Sequence, residues 1–192
     1  MFSRSTTGGK RWDDIAISDI KGSPRMMAVH PRDSDIIYAC GFNGYNTNRE
    51  KNRVGFVYKS ADAGSHWESV WETMDTNYLH SIIIDRRQPQ NVYFGSEKGI
   101  YKSTDDGKSW KRINKDKTTA LYITKTGALY AALADGILGS DDGGNTWSYV
   151  HKARLNSSGA TTTSTALRIV VDEKNNILYT GSKDGLLKIA LN

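Results

Sequence analysis

The chain alternates short apolar runs with tight polar turns from end to end, and no stretch sustains a helical period. Four strand registers recur. The first covers residues 26–29, 79–84, 121–124 and 167–171. The second places a tyrosine at one point of each strand: Ile36-Ile37-Tyr38-Ala39, Asn91-Val92-Tyr93-Phe94, Ala128-Leu129-Tyr130-Ala131 and Ile177-Leu178-Tyr179-Thr180. The third opens on glycine, as in Gly55-Phe56-Val57-Tyr58, Gly99-Ile100-Tyr101-Lys102, Gly136-Ile137-Leu138 and Gly185-Leu186-Leu187-Lys188. The fourth begins at a tryptophan, as in Trp67-Glu68-Ser69-Val70 and Trp147-Ser148-Tyr149-Val150. These runs are β-branched or aromatic and are bounded by Gly, Asp, Asn or Pro, which predicts strands and no helix of consequence.

Between the third and fourth registers lies a repeated segment. Ser60-Ala61-Asp62-Ala63-Gly64-Ser65-His66-Trp67 returns as Ser103-Thr104-Asp105-Asp106-Gly107-Lys108-Ser109-Trp110 and as Ser140-Asp141-Asp142-Gly143-Gly144-Asn145-Thr146-Trp147. All three read Ser-x-Asp-x-Gly-x-x-Trp. A degenerate copy, Ser5-Thr6-Thr7-Gly8-Gly9-Lys10-Arg11-Trp12, has Thr7 where the aspartate belongs. The tryptophans lie 55, 43 and 37 residues apart. A period near 40 is that of a four-stranded propeller blade. Ser and Asp can accept hydrogen bonds from N–H groups that a hairpin turn leaves unpaired, Gly permits positive φ, and Trp can cover the turn between blades. Ser60, Asp62, Gly64, Trp67, Ser103, Asp105, Gly107, Trp110, Ser140, Asp142, Gly144 and Trp147 therefore have a complete structural role without a ligand.

The three full segments resemble the Asp-box, or bacterial neuraminidase repeat, of sialidases, xyloglucan-degrading enzymes, sortilin-type receptors and photosystem assembly factors. The turn His30-Pro31-Arg32-Asp33 resembles the strand connection of the xyloglucanase and assembly-factor branch. The resemblance covers nearly the whole chain and implies a β-propeller more strongly than any activity, because one fold hosts many functions.

The expected fold is all-β, a single propeller domain over residues 1–192. Its four-stranded antiparallel blades span about residues 25–72, 78–113 and 118–150, with a last blade from 164–192 plus 1–17. Pairing the N- and C-terminal strands within that blade would close a four-bladed ring and remove two sheet edges. The alternative is an open arc of a larger propeller, which could self-associate. Residues 1–4 carry the third-strand register that residues 186–190 also carry, and 192 residues correspond to about 4.8 blades.

Composition changes this picture little. Twenty-six Lys and Arg against 21 Asp and Glu give a net charge of +5, too modest to indicate nucleic acid without a recognised motif. The basic run in residues 108–117 reads as a solvated strand edge. No apolar run approaches a membrane span, so no membrane insertion is expected. Residues 1–7 have no apolar core behind Arg4, so no secretory signal is expected. Localisation would be cytoplasmic if Met1 is the natural start, and is otherwise unknown from the sequence. The lone Cys40 excludes an internal disulfide and reads as a packed side chain. His30, His66, His80 and His151 lack metal-ligand spacing, and neither a metal nor a cofactor is expected.

A ligand is expected on the face carrying the long inter-strand and inter-blade loops, residues 41–53, 72–80 and 151–164. Asn43, Tyr45, Asn46, Asn48, Arg49, Asp75, Tyr78, His80 and Arg154 are the candidates, because amides, exposed tyrosines and cations suit a polysaccharide or an acidic protein partner. A glycosidase needs two flanking carboxyl groups. By resemblance to the xyloglucanases a catalytic aspartate should follow the Tyr-Ala strand, yet Tyr38-Ala39 runs into Cys40-Gly41-Phe42. Arg32, Arg86, Arg87 and Arg168 match no sialidase arginine pattern. Asp85 and Asp172 read as turn residues. No catalytic residue is assigned, and a non-catalytic binding or assembly module is expected; the alternative is a glycoside hydrolase, or part of one.

Overall fold

The computed structural model describes residues 2–15, 19–43, 54–73, 78–152, 168–182 and 185–191, and all regular structure among them is β. An N-terminal hairpin, β1 (Phe2–Arg4) with β2 (Asp13–Ile15), precedes three antiparallel four-stranded sheets. The first holds β3 (Ser23–Val29), β4 (Ile37–Asn43), β5 (Val54–Ser60) and β6 (Glu68–Thr73) in that order. The second holds β7 (Leu79–Ile84), β8 (Val92–Ser96), β9 (Gly99–Ser103) and β10 (Lys111–Asn114). The third holds β11 (Ala120–Ile123), β12 (Leu129–Ala132), β13 (Gly136–Ser140) and β14 (Ser148–Lys152). A three-stranded sheet of β15 (Arg168–Asp172), β16 (Ile177–Ser182) and β17 (Gly185–Ala190) follows.

Successive sheets pack face to face, and the strand period of two decides which neighbour each side chain meets. Tyr38 and Cys40 join Leu79, Ile82, Ile84, Val92 and Phe94 between the first two sheets, while Ala39 between them on the strand turns to Ile20, Phe56, Tyr58 and Trp67 on the other side. Tyr93 and Ile100 meet Leu121, Leu129, Ala131 and Leu138 between the second and third. Ala120, Ala132 and Ile137 meet Ile169, Val171, Leu178 and Ile189 between the third and the last. Strands covered on both faces need no polar alternation, which is why β8 and β13 are buried throughout. Cys40 is fully buried and burial pushes its thiol up, as expected of a packed side chain.

The repeated segments fold as designed turns. In each the serine Oγ accepts the N–H of the fifth-position glycine, at 2.8 Å for Gly64, 2.8 Å for Gly107 and 2.9 Å for Gly144. The aspartate accepts the N–H just before the tryptophan, from His66 at 2.8 Å, Ser109 at 2.9 Å and Thr146 at 2.9 Å. The tryptophan Nε1 donates to the same glycine's carbonyl at 2.9, 3.0 and 3.1 Å. The degenerate copy keeps this geometry, because Thr7 Oγ1 takes the Arg11 N–H at 2.9 Å in place of a carboxylate. Its Trp12, however, is 63% exposed, where Trp67 is 7% exposed, so the expected burial between blades fails at this copy.

A second repeated device links each sheet to the next turn. The residue before each serine is Arg4, Lys59 or Lys102, and each donates to the fourth-position carbonyl of the following turn: Ala63 at 3.0 Å, Asp106 at 3.3 Å and Gly143 at 3.0 Å. Tyr38 Oη donates to the same Asp106 carbonyl at 2.8 Å. Lys59 and Lys102 also lie over the rings of Tyr38 and Tyr93. Burial pushes the Tyr93 hydroxyl up to about 12, so it stays protonated.

One expectation is corrected. The N- and C-terminal strands do not share a sheet: among the described strands β1 and β2 pair only with each other, and β17 pairs only with β16. β2 is the expected fourth strand for β17, but β1 carries the same third-strand register as β17 and pairs with β2 in its place. The first and last inner strands still approach, with the Arg168 guanidinium 3.7 Å from the Met26 sulfur.

Candidate functional site

Chain direction alternates from strand to strand, so the second-to-third strand turns and the inter-sheet connections lie on one face, and the box turns lie on the other. The first of these is the loop face of the sequence reading. Of the residues proposed there, Asn43, Tyr78 and His80 are described; Tyr45, Asn46, Asn48, Arg49, Asp75 and Arg154 lie outside the described residues.

Phe42, at the end of β4, meets Tyr78 edge to face with ring centroids 4.8 Å apart. Tyr78 in turn stacks with the His80 imidazole at 6.1 Å and an interplanar angle of 17°. The Arg25 guanidinium sits 5.0 Å over the Phe42 ring. Asn43 follows Phe42 and is exposed. These rings form a row across the boundary between the first two sheets. They arise because β4 ends and β7 begins on this face, and a bulge between Leu79 and Ser81 re-aims the start of β7.

The row ends in an ionic cluster. His80 Nε2 is 2.8 Å from Glu97 Oε1, and Lys117 Nζ is 2.7 Å from Glu97 Oε2. Glu97 lies in the β8–β9 turn and Lys117 in the connection from β10 to β11, so the cluster joins the second sheet to the segment that leads into the third. Partial burial pushes the Glu97 carboxyl up, but hydrogen bonds and charge from Lys117 and His80 outweigh it and hold the group below its usual range. Glu97 is thus a committed carboxylate, suited to accepting hydrogen bonds and unsuited to delivering a proton at neutral pH.

Sequence reasoning placed Tyr78 and His80 on this face but missed Phe42, Arg25, Glu97 and Lys117. Strand counting carries the missing signal for Glu97 and Lys117, since any residue in a second-to-third strand turn or an inter-sheet connection must lie there; Phe42 and Arg25 lie within β4 and β3, near the strand ends on this face. The other histidines do not gather: His66 pairs with Asp62 at 2.6 Å in an exposed turn, and His30 Nδ1 accepts the Asp33 N–H at 3.0 Å. Among the described residues no group of three or more His, Cys, Asp or Glu side chains could hold a metal ion.

No family model matches the chain and no curated protein matches it. Solved structures do. An ancestral GH74 enzyme aligns at 19% identity with a TM-score of 0.67, over 88% of this chain and 23% of that one. The gluconolactonase XC5397 of Xanthomonas campestris aligns at 14% identity with a TM-score of 0.68, over 99% of this chain and 65% of that one. A chain of a nidogen/laminin complex aligns at 12% identity with a TM-score of 0.62, over 84% of this chain and 57% of that one. The chain therefore spans about a quarter of the length of the GH74 structure. At these identities the likeness shows the fold: the protein is an all-β propeller protein built of antiparallel sheets.

Proposed function

We propose that the chain is a non-catalytic propeller of Asp-box repeats that binds a polysaccharide or a protein partner through its loop face. The row of Phe42, Tyr78 and His80 carries this reading. Aromatic faces stack on the apolar faces of sugar rings and anchor protein interfaces, and Arg25, Asn43, Glu97 and Lys117 around them offer directional hydrogen bonds. The serine, aspartate and tryptophan hydrogen bonds of the repeated turns support the Asp-box reading, and they consume those carboxylates structurally.

Titration calorimetry with xyloglucan oligosaccharides and a glycan array test the proposal. Tyr78→Ala should weaken binding by about tenfold or more while the melting temperature moves little. Tyr45→Ala combined with Arg49→Ala should do the same; unchanged affinity in both would reject the loop face as the site. The GH74 fold neighbour favours a second reading, glycoside hydrolysis. Glu97 argues against it, because its hydrogen bonds with Lys117 and His80 keep it ionised. Turnover of chromogenic glycosides that is abolished by Asp75→Asn or Glu97→Gln would establish the hydrolase instead.

A further inference from the structure

On the face opposite the loops, the inner strands β3, β7, β11 and β15 surround a cavity of about 1060 Å³. Four turns, one after each inner strand, ring its mouth, and all are capped in the same way. His30, Asp85, Thr124 and Asp172 each accept a backbone N–H of their own turn, from Asp33 at 3.0 Å, Arg87 at 2.8 Å, Ala128 at 2.9 Å and Asn175 at 3.2 Å. The one or two residues that follow these caps line the mouth. There each sheet contributes one cation to the cavity wall: Arg32, Arg86, Lys125 and Lys174.

The wall beneath is apolar, with Val29, Ile83, Ile123 and Val171. Only two carboxylates share it, and both are engaged. Asp172 Oδ2 accepts the Asn175 side-chain amide at 2.7 Å, and Glu173 accepts the Tyr122 hydroxyl at 3.4 Å and the Lys125 backbone N–H at 3.0 Å. Arg32 donates to the Arg87 carbonyl at 3.1 Å. The side chains of Arg86, Lys125 and Lys174 have no hydrogen-bond or ion-pair partner among the described residues. Cations held around a concave, apolar-walled space focus a positive potential into it, and their mutual repulsion falls when an anion enters. Guanidinium groups add a planar fork that suits phosphate and carboxylate alike. The volume is that of a small-molecule site.

We propose that this cavity binds a small molecule carrying two or more negative charges, borne on phosphate or carboxylate groups. The site is separate from the loop face and stands whether or not that face binds a partner. Calorimetric titration of the full chain with inorganic tripolyphosphate, and separately with citrate, at about 50 mM and about 150 mM salt, tests it. Saturable binding at one site per chain is expected for at least one anion, and the anion that binds assigns phosphate or carboxylate chemistry. Arg86→Gln combined with Lys125→Gln should weaken it by about tenfold or more, and Glu173→Gln should tighten it severalfold. Lys111→Gln with Arg112→Gln, which removes two exposed charges from β10, should leave affinity unchanged. No binding by either anion up to about 10 mM would overturn the proposal. So would an equal loss in the β10 variant, since that would mean attraction by net charge alone. Should the double cavity variant melt early, the gain expected from Glu173→Gln decides the matter.

Discussion

The aspartate of each repeated turn does two jobs with one side chain, accepting a backbone N–H and a side-chain donor. Hydrogen bonds from His66, Ser109 and Thr146 hold Asp62, Asp105 and Asp142 down to about 2. A carboxyl depressed on folding stabilises the native state fully above its unfolded pKa of about 3.9, and that contribution disappears as pH falls through about 2. Replacing all three by Asn should therefore flatten the fall in melting temperature between about pH 4 and pH 2, as followed by circular dichroism. Thr7 shows the geometry survives without a charge, since its hydroxyl takes the equivalent N–H. Asp62→Thr should accordingly keep the fold and remove one third of the acid sensitivity that the triple variant removes.

At the scale of a strand, the third register opens on glycine because the fourth strand approaches it closely. A Cβ on Gly99 would lie 2.0 Å from the Asn114 carbonyl oxygen. Gly185 has almost the same backbone, φ +123 against +121, yet a Cβ there would meet nothing within 4 Å, because among the described strands no fourth one lies beside β17. Backbone strain thus cancels between the two, and Gly99→Ala should cost about 3 kcal/mol or more where Gly185→Ala costs about 1, measured by urea unfolding. Strand registers of this kind were legible in the sequence because period-two patterning and the turn residues agree. The shared terminal sheet was not, since β1 and β17 both carry third-strand patterns and only tertiary placement decides between them. The same limit applies to the loop face. Tyr78 and His80 could be read from their place in a connection, but the meeting of Glu97 and Lys117 joins a turn to an inter-sheet connection 20 residues further on, and periodicity holds no trace of that.

At the scale of the molecule, Arg4, Lys59 and Lys102 act as ties between consecutive sheets. Their position, always just before the serine of the turn, was visible in the sequence; that each reaches forward to the next sheet was not. Gly139, which has no side chain to donate, occupies the place in the third sheet, so among the described residues this kind of tie is absent between the third sheet and the last. The molecule therefore has a seam. Opening should begin at the C-terminal side and travel backward one sheet at a time. Native-state hydrogen exchange would record that order, with amides of β15–β17 exchanging first, then those of β11–β13, then β7–β9, and those of β3–β5 last of these sheets.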